Sequence, residues 1–405
     1  MKTVFASLIL TGLASAALAA PKENSLDRFL SSALSDFKVS LQAKNRGEFG
    51  EGSGMSPIEG VQLRFAQNET IEDRKYTARI KPKGFEQMKL MSALNSNQGR
   101  IETLNSQKAV SDALLERYLA ASQYLIAFEN KRLWTEITSL RTRKLSMLQR
   151  AARSSTSSAF DLIEHREKLE EAEVKQGLAD SSLRVATAKL KALDSSFTTL
   201  TPNASDLPSP VEMQKVLVDA APKSLSSEIA KEEASRAKNA LSYDIAKDTR
   251  LIEFVELSYD QFNYGKQVGF RVALNVPGIS GSDPSQSEKA RKMVMYEVDA
   301  RTAERDDTII QTEARESVSR AAELYRSIET LENRPSEVRM RKLVNSQEPL
   351  LAVTIQEDGL KRQIRKMEIS EKAYESYFNF LASSGILAER SQTNFLSKSL
   401  RQLAL

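Results

Sequence analysis

Two short stretches of the chain alternate apolar with mostly polar residues, and each leads into a much longer stretch with helical spacing. In the first, Val61-Gln62-Leu63-Arg64-Phe65 and Tyr76-Thr77-Ala78-Arg79-Ile80 follow a period of two, which predicts a strand pair at about 61–81 with one apolar and one polar face. In the second, Val255, Leu257 and Tyr259 alternate with Glu256 and Ser258, while Val268, Phe270, Val272, Leu274 and Val276 alternate with Gly269, Arg271, Ala273 and Asn275. This predicts a further strand pair at about 252–277. Gly84 and Gly278 end the two pairs.

The longer stretches follow those glycines. From Met88 to Ala152, Leu90, Met91, Leu94, Ile101, Leu104, Leu114, Leu115, Tyr118, Leu125, Leu133, Ile137 and Leu140 recur at helical spacing with no proline and only Gly99 inside. At 1.5 Å per residue, about 65 helical residues span roughly 100 Å, beyond the diameter of a compact domain. A patch of small polar residues, Arg153 to Ser158, precedes a returning stripe that includes Phe160, Leu162, Ile163, Leu169, Val174, Leu183 and Leu190 and ends at Asp194-Ser195-Ser196. In the second copy Asp283-Pro284 is a helix start and Asn345 to Pro349 is the turn, with Pro335 expected to break or kink the outgoing helix. The return ends at Ser383-Ser384-Gly385. Strand pair, long helix, turn and return keep one offset of about 190 residues, which reads as a structural duplication.

The predicted organisation is a signal peptide at 1–19, a first repeat at 20–200, a linker at 201–210, a second repeat at 211–387 and a tail at 388–405. Lys2, the apolar stretch Val4 to Leu18 and the Ala17-Leu18-Ala19 site support the signal peptide. Within the first repeat Leu26 to about Lys44 reads as a short amphipathic helix (Leu26, Leu30, Leu34, Phe37, Leu41), followed by the hairpin 88–194. Within the second, Val211 to Leu251 reads as helix, followed by the strand pair and the hairpin 284–384. The tail is short and mostly polar, and reads as poorly ordered.

Composition narrows the function. The net charge is +4, from 58 basic and 54 acidic side chains finely mixed along the helical stretches, which is a solvated surface and not a nucleic-acid footprint. There are no cysteines, so disulfides, thiolate metal ligands and a lipid-modified cysteine are excluded. An export signal without disulfides suits a bacterial envelope protein. Past the signal no segment approaches 18 consecutive apolar residues, so a membrane-inserted form must be a barrel. His165 is the single histidine, on a charged helical stretch, and is expected to be exposed; Trp134 reads as packing between helices. No phosphate loop, nucleophile-base pair or metal-ligand cluster is present, so neither enzyme chemistry nor a cofactor is expected.

Four amphipathic strands per chain cannot close a barrel, whereas three copies supply twelve, an even number in the bacterial outer-membrane range. On that reading Val61, Leu63, Phe65, Tyr76, Ala78, Ile80, Val255, Leu257, Tyr259, Val268, Phe270, Val272, Leu274 and Val276 face lipid. Gln62, Arg64, Thr77, Arg79, Ser258, Arg271 and Asn275 face the lumen.

This order of elements resembles that of the outer-membrane efflux, or TolC-like channel-tunnel, family over nearly the whole mature chain. The family's loose turn pattern Gly-x-x-Ser-x-x-Asp-Leu-Leu is echoed by Ser155, Ser158, Asp161, Leu162 and Ile163, and Ser383 to Leu387 is similar to the close of a repeat. The resemblance implies a mostly α fold with short β: two repeats of strand pair plus helical hairpin, forming in a homotrimer a 12-stranded outer-membrane β-barrel and a periplasmic α-helical tunnel. It also implies a passive conduit of a tripartite efflux or type I secretion system, whose helix tips meet a periplasmic adaptor protein attached to an inner-membrane pump. The location implied is the outer membrane of a Gram-negative-type bacterium. Entrance candidates are Ser155, Ser158, Asp161, Glu164, Ser346 and Glu348. Because Leu350 to Thr354 in the second turn are uncharged, any acidic ring is expected from Asp161 and Glu164. The rival reading is a periplasmic adaptor, which would carry a single hairpin and not two strand-helix repeats, or a coiled-coil scaffold.

Overall fold

The computed structural model describes residues 25–36, 39–40, 56–67, 74–154, 159–197, 206–220, 223–262, 265–275, 284–336 and 349–403. The predicted signal peptide, Phe37, Leu41, Ser155, Ser158, Val276, Asp283, Val338 to Val344, Ser346 and Glu348 lie outside them. The described chain is mostly helical with one small antiparallel sheet.

The strands are β1 (Ile58–Gln67), β2 (Arg74–Pro82), β3 (Ile252–Phe262) and β4 (Gly265–Leu274), hydrogen-bonded in the order β1-β2-β3-β4. The two strand pairs, far apart in sequence, therefore merge along β2 and β3, leaving β1 and β4 as the outer strands. From the sheet runs α2 (Phe85–Ser154), whose 70 residues extend about 105 Å. It is followed by α3 (Ala159–Leu193), α4 (Pro210–Asp219), α5 (Leu225–Asp248), α6 (Pro284–Glu332) and α7 (Pro349–Ser383). Along its length α2 packs against α3, α5 and α7, while α6 packs against α4, α5 and α7. Helix α6 stops at Glu332, where Asn333 and Arg334 make the closing turns and Pro335 has no N–H to continue the ladder.

Three expectations are corrected. The segment Val211 to Leu251 is two helices: Pro222 cannot donate within a helix, and Ser224 caps α5 by accepting from the Ser227 N–H. A capping box between Ser209 and Glu212 starts the short α4. The N-terminal helix is interrupted: α1 (Ser25–Ser31) tightens into a 3-10 turn, Ser32–Ser35, Asp36 leaves helical geometry, and residues 39–40 are helical again. Finally, the C-terminal segment is ordered against the core through residue 403. It forms α8 (Ile386–Glu389) and a bridge between Thr393 and Gln402, and it buries Ile386, Leu387, Phe395, Leu396 and Leu403.

Those corrected segments meet midway along α2, where the helix pieces abut. Phe29 of α1 packs edge-on against Phe197 beyond α3, at 5.5 Å between ring centres. In the second repeat the Lys223 N–H before α5 donates to the Ser384 carbonyl after α7, at 3.2 Å. Gly385 there adopts φ 71°, and a Cβ on it would meet the Lys223 carbonyl at 2.8 Å, so glycine is required both for the turn and for the approach. At the centre Tyr118 of α2 stacks on Phe378 of α7 at 4.8 Å. Its hydroxyl donates to the Thr393 carbonyl at 2.7 Å and accepts from the Phe395 N–H at 3.2 Å. Burial pushes the Tyr118 phenol well above its usual range, so it stays protonated. Asn394 donates to Asp27 of α1 at 2.6 Å, which ties the two ends of the described chain together.

Farther down the hairpins a second buried contact joins α2, α3 and α7. Arg141 donates from Nε to Glu357 at 2.9 Å and also reaches the Lys168 carbonyl, and Lys361 bonds the same carboxylate at 2.9 Å. Arg141 and Glu357 are both buried, beside a small apolar cluster of Leu133, Ile137, Ala172 and Ile364 on which Trp134 packs.

Two stability changes are expected. Tyr118→Phe leaves the part-buried Thr393 carbonyl and the buried Phe395 N–H without this partner, so it should destabilise the protein by about 1–3 kcal/mol, read as a lower Tm by far-UV circular dichroism. An unchanged Tm would show that the C-terminal segment does not brace α2. Arg141→Met leaves Glu357 buried beside a single cation and should cost about 3–5 kcal/mol, whereas Arg141→Met with Glu357→Met should cost much less. Burial alone would raise the Glu357 pKa, but Lys361 and Arg141 outweigh it and hold the carboxyl below its ordinary 4.5. The stability it contributes is therefore present above that value and lost as the pH falls through the lowered one. The wild-type Tm should fall more steeply below pH 4.5 than that of Glu357→Gln.

Candidate functional site

The sheet register places whole rows of like residues side by side. Val61, Ile80, Val255 and Val272 form one row across the four strands; Leu63, Ala78, Leu257 and Phe270 form the next; Phe65, Tyr76, Tyr259 and Val268 form the third. Leu274 pairs with Ile252 beyond an irregularity at the base of β3. All these side chains share one face. That face is unusually open to solvent in the single chain: Leu63 is 79% exposed and Phe270 is 70% exposed. An exposed apolar surface this continuous is characteristic of a surface that meets lipid or another protein. Phe65 and Tyr76 pack at 5.1 Å between ring centres, and Tyr76 and Tyr259 at 6.2 Å, forming an aromatic row near the far end of the sheet.

The other face is polar. Its rows are Gln62, Arg79, Glu256 and Arg271; then Arg64, Thr77, Ser258 and Gly269; then Ala66, Lys75, Asp260 and Gln267. Lys81 stands opposite Gly60 on the same face. Arg79 grips Glu256 with two hydrogen bonds, 2.7 and 2.9 Å, while its guanidinium lies 3.9 Å from the centre of the Phe254 ring. Lys75 pairs with Asp260 at 3.3 Å. A shallow recess of about 360 Å³ is lined by Lys75, Arg79 and Glu256 together with Ser258 and Gly269. A Cβ on Gly269 would meet Ser258 Oγ at 2.5 Å, so the small residue lets the two strands keep their hydroxyl-lined centre.

Sequence reading singled out six residues of this face and passed over Glu256, Asp260, Lys75 and Lys81. The period of two already places them there, and the ion pairs supply the reason that acids sit among the bases. Asn275 lies past the end of β4, where its N–H donates to the Leu251 carbonyl and its side chain to the Asp248 carbonyl. It fastens the base of the sheet to the end of α5.

At the opposite end of the hairpins, Asp161 and Glu164 lie exposed in the first two turns of α3. Glu164 pairs with Lys168 one turn on, and that contact, with Lys168's charge, lowers its pKa. His165 is half-buried rather than exposed, because its Nδ1 turns back on the Asp161 carbonyl at 2.8 Å. Apolar side chains along α3 (Phe160, Ile163, Val174, Leu178, Val185) and α6 (Val294, Met295, Val298) remain exposed. Among the described residues no group of His, Asp and Glu could hold a metal ion, and no helix is long and apolar enough to cross a membrane.

No protein-family model and no curated protein matches the sequence. Solved structures do match in fold. The chain is similar to the outer membrane protein VceC of Vibrio cholerae, with a TM-score of 0.56 at 12% identity over 89% of this chain and 96% of that one. It is similar to the CmeC outer membrane channel of Campylobacter jejuni, with a TM-score of 0.57 at 10% identity over 93% and 87% of the two chains. It is likewise similar to the open state of the MtrE outer membrane channel of Neisseria gonorrhoeae, with a TM-score of 0.52 at 13% identity over 94% and 91%. The likeness spans 89–94% of this chain, which has the fold of these outer-membrane channel proteins.

Proposed function

We propose that the protein is a passive outer-membrane channel-tunnel, in which three copies close twelve strands into one barrel and their helices line a tunnel through the periplasm. The observation that carries this reading is the sheet. Its strands are 10, 9, 11 and 10 residues long, the length of tilted strands that cross a bilayer at about 9–11 residues each. One face is apolar and open, the other is polar and carries most of the charges, and the outer edges of β1 and β4 have no partner strand among the described residues. In lipid each unpaired backbone group on those edges costs several kcal/mol, and pairing β4 of one copy with β1 of the next removes both edges. The exposed apolar stripes on α3 and α6 supply surfaces for the same neighbours lower down.

On this reading the apolar rows from Val61 to Leu274, with Val276, face lipid, and Gln62, Arg64, Thr77, Arg79, Ser258 and Arg271 line the lumen. The helix tips, with Ser155, Ser158, Asp161, Glu164, Ser346 and Glu348, form the periplasmic entrance and the contact with an adaptor protein and an inner-membrane pump. Pairing of Glu164 with Lys168 leaves Asp161 as the stronger candidate for an acidic ring at the entrance. The conduit needs no catalytic group, and the chain's role is to carry what a pump delivers, in efflux or type I secretion.

Expressed as the full chain in a Gram-negative host, the protein should fractionate with outer membranes, extract only in detergent and run as a trimer by light scattering. Recovery as a soluble periplasmic monomer would sink the proposal. Because the chain has no cysteine, Leu63→Cys on β1 and Phe270→Cys on β4 can be introduced singly or together. A flexible bismaleimide should link chains into dimers and trimers only when both are present, since β1 meets β4 and not another β1. Cross-linking by Leu63→Cys alone would contradict that closure.

A further inference from the structure

The polar face of the sheet is not electrically balanced, and its imbalance is arranged in depth. Among the described residues that the register pairs on it, five basic side chains, Arg64, Lys75, Arg79, Lys81 and Arg271, stand against two carboxylates, Glu256 and Asp260. Both carboxylates lie low against the sheet: the side chains of Glu256 and Asp260 are 11% and 19% exposed. The cations above them reach outward, with Arg271 72% and Lys75 54% exposed. Glu256 is shared between Arg79 and, at 3.8 Å, Arg271, so one negative charge faces two positive ones. Arg64, exposed and held by Gln62 Oε1 at 3.3 Å, has no carboxylate partner among the described residues, and neither has Lys81. A solute approaching this face therefore meets guanidinium and ammonium groups first.

We propose that this strand face makes the pore anion-selective, so that anionic solutes are the class it passes most readily. The inference rests on the channel reading above, in which the same face from three copies encloses the lumen. Repeated by that symmetry, the excess of cations becomes rings of Arg and Lys inside a wall whose outer surface is lipid. Such rings favour anions, and low-dielectric walls focus their field. Of the two described acids at the hairpin tips, Glu164 is paired with Lys168, which leaves the contribution of Asp161 to be separated by substitution.

The test is a reversal-potential measurement on the detergent-extracted full chain in planar bilayers of zwitterionic phosphatidylcholine, under a KCl gradient. The expected reversal potential has the sign of chloride permeation, and it should shrink at high salt, where the Debye length falls to about 3 Å at 1 M. Arg64→Glu with Arg271→Glu should shift it toward potassium, Arg64→Gln with Arg271→Gln should shift it part of the way, and Asp161→Asn should leave its sign unchanged. Potassium preference in the wild type would overturn the inference. So would a potential that ignores the Arg64 and Arg271 substitutions, or one whose sign is set by Asp161→Asn. These results would leave the channel reading standing. Absence of any conductance steps would instead overturn the channel reading and the selectivity with it. Because the wild-type sign alone can refute the selectivity, the inference remains open to refutation if a substituted chain fails to assemble.

Discussion

A helix of about 105 Å cannot make a core of its own, and this constraint organises everything else in the molecule. Every turn of α2 needs an apolar neighbour, yet no other described helix is as long. The chain meets the requirement with shorter pieces from both repeats: α5 near the sheet, α3 and α7 toward the tips. Where pieces meet end to end, their orphan backbone groups and exposed apolar ends have to be satisfied. The cluster around Tyr118 does this, which is why α1, α8 and the C-terminal segment, all short, converge there. Aromatic pairs contribute about 0.5–1.5 kcal/mol each beyond burial, and Tyr118, Phe378, Phe395 and Tyr374 form several around one hydroxyl.

What the sequence made legible follows from where physics imposes a period. The strands were readable because one face of the sheet is apolar and the other mostly polar, so Val61 to Phe65, Tyr76 to Ile80, Val255 to Tyr259 and Val268 to Val272 alternate. The long helices were readable because proline and glycine are nearly absent from them. The segments that were misread have no period. Residues 386–403 look polar, and their order comes from single tertiary contacts: Asn394 on Asp27, Arg401 on Asp27, and Phe395 against Tyr118. Nothing in a window of neighbouring residues announces such partners. The break between α4 and α5 had a local sign, Pro222 followed by Ser224, that a mostly helical stretch on either side concealed. The charged partners Glu256 and Asp260 were on the page as alternating positions, but only the cross-strand register shows that each answers a particular base. Of the entrance candidates, Asp161 and Glu164 can be placed, while Ser155, Ser158, Ser346 and Glu348 lie outside the described residues.

The two repeats share a plan and differ in its execution. In each, a helix that leads toward the sheet begins where a returning helix ends: α1 against the end of α3, and α5 against the end of α7. The first junction is made by two phenyl rings. The second is a backbone contact that only Gly385 permits. The outgoing helices differ too, since α2 runs unbroken to Ser154 whereas α6 ends before Pro335. The two hairpins thus present different chemistry at the same level, so a partner that binds both must recognise two unlike surfaces.

The order of the sheet, with β1 and β4 outermost, also bears on inheritance. In the proposed trimer, a ring closed head to tail would use two different edges, so each copy would touch its neighbours through unlike surfaces and none could be left out without reopening the wall. A chain with a sound β4 and a ruined β1 can still capture a healthy neighbour while refusing the next. In that trimer, were such a chain made alongside the normal one in equal amount, most rings would incorporate at least one faulty member, and the defect would behave as dominant although a good copy of the gene is present.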